Sequence, residues 1–443
     1  MKVRFWGTRG SIATPGRGTT HFGGNTSCVE MTTDGGDRLI FDCGTGARGL
    51  AAKLTAEARG GPIHANILVG HTHWDHIQGF PFFSPAFVAG NSAAIYGPEG
   101  SRGSLHDVLS GQMEFTYFPV ELGQLPAAIT YHDLTEGIHR IGSARVATQF
   151  LNHPALTLGY RIEADGVAVV YLVDHEPFST ELWRANAEPG HLESILHEGD
   201  RRHARFMEGA DLVIHDAQYT PEEYPAKRTW GHSTYDYAVR VAAAADVRQL
   251  ALTHHDPDHD DHFIADLERK ARVLALQCGT GMDAFCAYEG CEVVIEPRTR
   301  LLKPFVSTDA LQPSVAQRRF KVLVVDDQPE SLMLIVRALV DGPYDVSTAT
   351  SGPEGLRMIA EAPPDLVVLD YKMTGMDGPT VVKTLRARAE TARLPVLMLT
   401  AMTDEASTRA GFEAGVTDYV TKPFSIPQLV ARVHACLART GRR

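Results

Sequence analysis

Six consecutive residues, His71-Thr72-His73-Trp74-Asp75-His76, constrain this chain more than any other stretch. They follow the apolar run Ile67-Leu68-Val69-Gly70, which reads as a buried strand, so three imidazoles and a carboxylate stand where a strand becomes a loop. Residues two apart there share a side. His71 and His73 are therefore placed to grip one cation, and Asp75 and His76, past the bend, to reach a second. Imidazole nitrogen and carboxylate oxygen suit zinc, manganese or iron.

The rest of a donor set follows in order. An apolar-rich strand over 146–152 ends at His153, another over 167–173 ends at Asp174, a third over 212–214 leads to His215-Asp216, and a fourth over 250–253 leads to His254. A carboxylate buried at a strand end is costly unless a cation or hydrogen bonds compensate it. Asp174 is accordingly read as a bridge between two metals, His153 as third ligand of the first, and His254 as last ligand of the second. Asp42 either braces the ligand loop or N-caps the helix expected over 47–58. The insertion between His76 and His153 holds Phe80-Pro81-Phe82-Phe83 and Phe115-Thr116-Tyr117-Phe118, which fit a wall or lid over the site, or core beneath a long connection. Asp256-Pro257-Asp258-His259-Asp260-Asp261-His262 reads as a turn capping a helix from about Phe263, with a third metal site or substrate loop as the alternative.

These residues resemble the metallo-β-lactamase superfamily, an αββα sandwich with a dinuclear site, over residues 1–296. Their order is similar to the branch of tRNA 3′-processing endonucleases and related phosphodiesterases. That resemblance implies that His71, His73 and His153 hold one metal, that Asp75, His76 and His254 hold the other, and that Asp174 bridges them. It implies two catalytic residues: Asp75, orienting the nucleophilic water, and His232 of Trp230-Gly231-His232-Ser233-Thr234, protonating the leaving group, with Asp216 as its acidic partner. The last motif is doubled as His254-His255, and His254 is taken as the ligand. β-Lactamases proper commonly have Cys where Asp174 stands, which argues against antibiotic hydrolysis.

Residues 297–319, with three basic residues in 298–303 and prolines at 304 and 313, read as a linker. Beyond it, strands and helices alternate through five βα units, as in a doubly wound parallel sheet. Asp326, Asp327, Asp370, Thr400 and Lys422 all fall at carboxyl ends of strands, where the ligand crevice of such a sheet lies. Three carboxylates converging there need a hard cation such as Mg²⁺. Residues 320–443 thus resemble a response-regulator receiver domain. The resemblance implies Asp370 as phosphoacceptor, Asp326, Asp327 and Asp370 as the Mg²⁺ site, Thr400 and Tyr419 as a switch pair, and Lys422 before a Pro423 joint that is often cis. Thr374 stands where that family usually has Pro, a change expected to relax a loop.

The fold class expected is α/β, an αββα sandwich followed by a (βα)5 receiver. A length of 443 residues accommodates two to three domains. The net charge of −12 argues against a broad grip on nucleic acid or an anionic membrane. Six cysteines without C-x-x-C spacing, a strand-like start and the lack of any apolar run near ~20 residues lead to a cytoplasmic expectation. The function expected is a phosphorylation-regulated hydrolase with two divalent ions, zinc before manganese or iron, acting on cyclic nucleotides or a similar small phosphodiester. A sensor histidine kinase or phosphotransfer protein and a second copy of the chain are the expected partners. The alternatives are a tRNA 3′-processing-type endonuclease and a di-iron sensor without turnover.

Overall fold

Apolar runs that continue without alternation need cover on both faces, and the strands carrying the polar endings obey this rule. Val167–Leu172 and Leu212–Asp216 are buried throughout. They pair in parallel, Val169 opposite Leu212, and Leu212–Asp216 pairs in parallel with Gln249–Thr253. These three strands sit at the centre of a seven-stranded sheet completed by Asp283–Cys286 on one side and by Leu158–Ala164, Ala144–Phe150 and Gly137–Ile141 on the other. A second seven-stranded sheet runs Glu292–Val294, Lys2–Gly7, Cys28–Thr32, Arg38–Phe41, His64–Leu68, Ser92–Pro98 and Ala128–Leu134. Parallel pairing across its last four strands again puts their carboxyl ends on one side.

The computed structural model describes residues 1–98, 103–184, 189–297, 305, 319–340, 342–400, 415–422, 424 and 426–438. Contacts divide the chain into two compact units, one of Met1–His153 and Thr157–Ala310, the other of Pro154–Leu156 and Leu311–Arg443.

In the first unit Phe41 joins the two sheets, its ring 5.9 Å from that of Tyr160 and 5.1 Å from that of Tyr171. The outer face of the sheet holding Lys2–Gly7 and His64–Leu68 is covered by the helices Ala47–Ala58 and Leu105–Gln112, whose Leu50, Leu54, Leu105 and Leu109 pack with Ile40, Ile67 and Ile95. The outer face of the sheet holding Val167–Leu172 and Leu212–Asp216 is covered by Glu198–Met207, Tyr235–Ala244 and Asp261–Gln277. Their Phe206, Val239, Val241 and Leu267 pack with Val170, Val213 and Leu250. This is the expected αββα sandwich. The insertion divides between the two readings: Phe80 and Phe83 are buried in the core, and it supplies the strands Ser92–Pro98 and Ala128–Leu134, whereas Phe82, Phe115 and Tyr117 are exposed. Asp260 caps the helix Asp261–Gln277 by accepting from the Phe263 N–H at 2.8 Å, so the acidic turn has the capping role.

The second unit is a five-stranded parallel sheet in the order Tyr344–Ala349, Phe320–Val325, Leu366–Asp370, Val396–Thr400, Asp418–Thr421. Among the described residues the helices Pro329–Leu339, Gly352–Glu361, Gly378–Arg386 and Ile426–Ala438 flank it, in keeping with the expected alternation of strands and helices. The Pro423 joint lies outside the described residues. So does most of the linker. Of its described residues, Phe305 packs its ring 5.3 Å from Phe206 and its N–H donates to Glu163 at 2.8 Å.

Phe41 is fully buried between the sheets, so Phe41→Ala should cost ~3–5 kcal/mol in the unfolding of the first unit. Denaturant titration followed by far-ultraviolet dichroism checks this, and a loss below ~1 kcal/mol would mean that Phe41 is not a packing link.

Candidate metal centres

Strand direction delivers every polar ending to one place. His71, His73 and Asp75-His76 follow His64–Leu68, Asp174 follows Val167–Leu172, and His254 follows Gln249–Thr253. The Asp174 carboxylate stands between two sets of imidazoles. Its Oδ2 lies 3.5 Å from His71 Nε2 and 3.6 Å from His153 Nε2, and its Oδ1 lies 3.2 Å from His76 Nε2 and 3.1 Å from His254 Nε2. His73 Nδ1 is 3.2 Å from His153 Nε2. Asp75 Oδ2 is 3.3 Å from His76 Nε2 and 3.1 Å from His254 Nε2. His71, His73, His153 and Asp174 thus form one group of possible ligand atoms within 4.8 Å of one another, and Asp75, His76 and His254 form another.

These groups fit cations by the test of hydrogen bonding. Buried polar atoms almost always have a partner. Here His71 Nδ1 and Nε2, His76 Nε2 and Asp174 Oδ1 are buried and make no hydrogen bond. Burial also drives His71 below its ordinary pKa and His153 down to about 3, keeping both imidazoles in the neutral form that ligates metals.

Four of these residues, His76, His153, His254 and Asp75, are aimed by a second contact, which for the histidines fixes which ring nitrogen keeps its lone pair. His76 Nδ1 donates to Asp42 at 2.7 Å, His153 Nδ1 to the Gly231 carbonyl at 3.0 Å, and His254 Nδ1 to Gln218 Oε1 at 2.9 Å. The Ser11 N–H donates to Asp75 at 2.8 Å. Asp42 also accepts from the Gly70 N–H at 2.7 Å and from the Tyr171 hydroxyl at 2.5 Å, so it braces the ligand loop; the helix at Ala47 has Gly46 at its N-cap. Of the doubled histidines, His254 faces the two carboxylates, while His255 turns away and donates to the Ala287 carbonyl at 2.9 Å. Ser11, Asp42, Asp174 and His254 all hold left-handed backbones, with φ of 61°, 58°, 64° and 62°. Strain of this kind collects at functional sites.

His232 stands beside this cluster. Its Nδ1 donates to Asp216 at 2.8 Å and lies 4.0 Å from Asp174, and its ring stacks 4.9 Å from that of His254. Burial opposes its charged form, but Asp216 and Asp174 outweigh burial and push it up to about 9. Asp174, Asp216, His232 and His254 form a further close group, yet Asp216 and His232 already engage each other. Glu176 secures the loop that carries His232, accepting from the Thr229 N–H at 2.7 Å, the Gly231 N–H at 3.0 Å and the Tyr224 hydroxyl at 2.9 Å. Sequence reasoning missed Glu176, Gln218 and Ser11, whose positions carry no motif. A cleft of about 520 Å³ opens onto the centre, lined by Ser11, Thr72, His73, Trp74, Asp75, Asp174 and His232.

In the second unit the Asp326, Asp327 and Asp370 carboxylates also lie within 4.8 Å of one another. Lys422 Nζ reaches Asp326 at 3.0 Å and Asp370 at 2.5 Å. Burial raises the Asp370 carboxyl and Asp326 adds to the effect, against the pull of Lys422. Thr374 donates to Asp327 through both its N–H and its hydroxyl at 2.8 Å, a contact that Pro at this position could not make. Thr400 is buried at its strand end, and Tyr419 lies on the neighbouring strand, opposite Met398.

Fold and sites together define a protein of two parts, an αββα domain with candidate metal-ligand groups and a doubly wound domain with an acidic crevice. Residues 37–255 match the beta-lactamase superfamily domain and residues 322–434 match the response regulator receiver domain, so the chain carries a metallo-β-lactamase-superfamily domain joined to a receiver of the two-component type. The DNA-binding dual master transcriptional regulator RpaA of Synechocystis sp. is 40% identical over 122 residues, 28% of this chain and 51% of its own length. The chain spans about half the length of the first curated relatives it matches. Among solved structures, the short form of human tRNase Z is 20% identical, covering 67% of this chain and 99% of that one with a TM-score of 0.45. A putative response regulator from Chloroflexus aurantiacus is 41% identical, covering 27% of this chain and 99% of that one with a TM-score of 0.25.

Asp174→Ala should lose more metal per chain than His254→Ala, because only Asp174 faces both groups. Mass spectrometry of metal content checks this, and wild-type metal content in the Asp174 variant would end the bridging assignment.

Proposed function

We propose that the first domain hydrolyses small phosphodiesters, cyclic nucleotides among them, and that phosphorylation of Asp370 in the second sets its rate. The observation that carries the reading is the His232–Asp216 pair, an imidazole that lines the cleft over a two-cation donor set and is held by a carboxylate outside it. Cleaving a phosphodiester requires charge neutralisation at phosphorus and a proton for the departing alkoxide. Two divalent ions, zinc in this reading, would supply Lewis-acid polarisation and an acidified water when bound. His71, His73 and His153 would hold one, Asp75, His76 and His254 the other, and Asp174 both.

The chain's own groups divide the remaining work. Asp75, fixed by the Ser11 N–H, orients the attacking water. His232 delivers a proton from Nε2 while Asp216, bound at Nδ1, stabilises its charge. Glu176 keeps the His232 loop in register. A di-iron sensor would have no use for a proton donor held in this way, which favours hydrolysis over sensing.

In the receiver, Asp326 and Asp327 with Asp370 would hold Mg²⁺, and a histidine kinase or phosphotransfer protein would deliver the phosphoryl group to Asp370. A phosphoryl group adds charge and strong acceptors beside Lys422, which draws Lys422 and Thr400 inward and moves Tyr419 with them.

Two tests follow from these roles. His232→Ala should lower kcat about 10²–10⁴-fold on a phosphodiester with an alkyl leaving group, and far less on an aryl ester whose leaving group needs no proton. Metal content should stay at the wild-type level, and equal losses on both esters would remove the general-acid role.

Adding a small phosphodonor such as acetyl phosphate with Mg²⁺ should change the hydrolysis rate of the full chain, and Asp370→Asn should abolish that change. A rate indifferent to the phosphodonor would make the receiver a passive passenger.

A further inference from the structure

The cleft over the metal centre has an aromatic wall that the hydrolytic chemistry does not use. Trp74 lies between the candidate ligands His73 and Asp75, lines the cleft, and is 79% exposed. Tryptophan buries more apolar area than most side chains, so a ring left this open inside a concave site is a feature to be explained. Its position explains the exposure in local terms. Trp74 is the first residue of the short helix Trp74–Ile77, and successive helical residues diverge by about 100°, so with Asp75 turned into the centre Trp74 points to its mouth. Among the described residues, no ring or cation covers its face.

The surroundings select what would cover it. Trp230, next to the Gly231 whose carbonyl holds His153, is also exposed, with Lys227 Nζ 4.4 Å above its ring. An anionic molecule would be met by cations held in the donor set, while a flat ring is offered to it alongside. A cleft of about 520 Å³ is the size of a small-molecule site.

We infer that Trp74 is a stacking platform for a nucleobase, so that the substrate is a nucleotide whose phosphodiester lies over the metal centre while its base covers the indole. The inference rests on the phosphodiesterase reading and narrows its substrate class. Stacking tolerates any base, because every base has a π-face, so Trp74 confers preference for nucleotides over other phosphodiesters and little preference among bases.

The probes are 5′-AMP and ribose 5-phosphate, titrated by calorimetry against the metal-loaded full chain. Wild type should bind 5′-AMP about five- to 150-fold tighter than ribose 5-phosphate, the range expected of one base stacked on an aromatic ring. Trp74→Leu should bring the two within about twofold by weakening 5′-AMP alone, at unchanged metal content, and Trp74→Phe should restore most of the preference. Phe115→Ala, an equally open ring that does not line the cleft, should change neither affinity. Equal affinities in wild type, or a preference that survives Trp74→Leu, would overturn the platform and leave the phosphodiesterase reading standing. Failure of both probes to bind would count against that reading itself. A concentration-dependent dimer in which Trp74 becomes shielded from acrylamide quenching would assign the ring to a subunit interface instead.

Discussion

Lone pairs that face one another in a buried space repel unless positive charge sits between them, and the first domain is built around such a space. Asp174 presents one oxygen to His71 and His153 and the other to His76 and His254, at 3.1–3.6 Å. Without cations the arrangement leaves unsatisfied buried atoms, each costing ~1–3 kcal/mol or more. With them, the same atoms become the strongest contacts in the domain. Metal binding and stability of the loop ends are thus one quantity seen from two sides.

Holding the donors there has a backbone cost. Left-handed conformations at Ser11, Asp42, Asp174 and His254 cost of order 1–3 kcal/mol each, and all four occur in residues that belong to the donor set or hydrogen-bond to it. Gly10 shows how tight the packing is, because a Cβ there would come within 2.4 Å of the His254 ring. The strands supply the rigidity that makes this strain tolerable. Phe41, Tyr160 and Tyr171 lock the sheets together, and the Tyr171 hydroxyl carries that order straight to Asp42 and on to His76. The ligand loop is positioned by a packed core one hydrogen bond away.

How far this was legible in the sequence depends on the kind of signal. Histidine or aspartate at the end of an apolar run is a local pattern, and parallel pairing turns such patterns into a shared location, which is why the central strands and their polar ends could be read from the chain. Gln218 and Glu176 could not be read, because each acts through a single contact made possible by the tertiary fold. Asp42 was legible only as a choice between brace and cap, since both roles put a carboxylate before Gly44, and the left-handed turn decides between them. The choice between His254 and His255 was likewise one of side-chain direction. The left-handed backbone at His254 turns its ring to the carboxylates, while His255 reaches Ala287. In the second domain, Thr374 could be judged only as a departure from a pattern, although two hydrogen bonds to Asp327 give it a positive role.

The proposed coupling of the two domains can be weighed by its energetics. Lys422 is shared between Asp326 and Asp370, so the unmodified crevice already holds its cation by two carboxylates. Modification of Asp370 exchanges one of these ionic contacts for another, and its net effect on receiver conformation is a difference between two large, similar terms. Such differences typically amount to ~1–3 kcal/mol, enough for a five- to 150-fold change in an equilibrium. That range cannot carry a conformational balance from almost wholly one state to almost wholly the other, which takes ~5.5 kcal/mol. Joining the domains in one chain eases the requirement, because a tether turns the second binding event into an intramolecular one. A weak contact, favoured only modestly in one phosphorylation state, then becomes sufficient. Regulation built this way would be graded, with a measurable basal rate in both states.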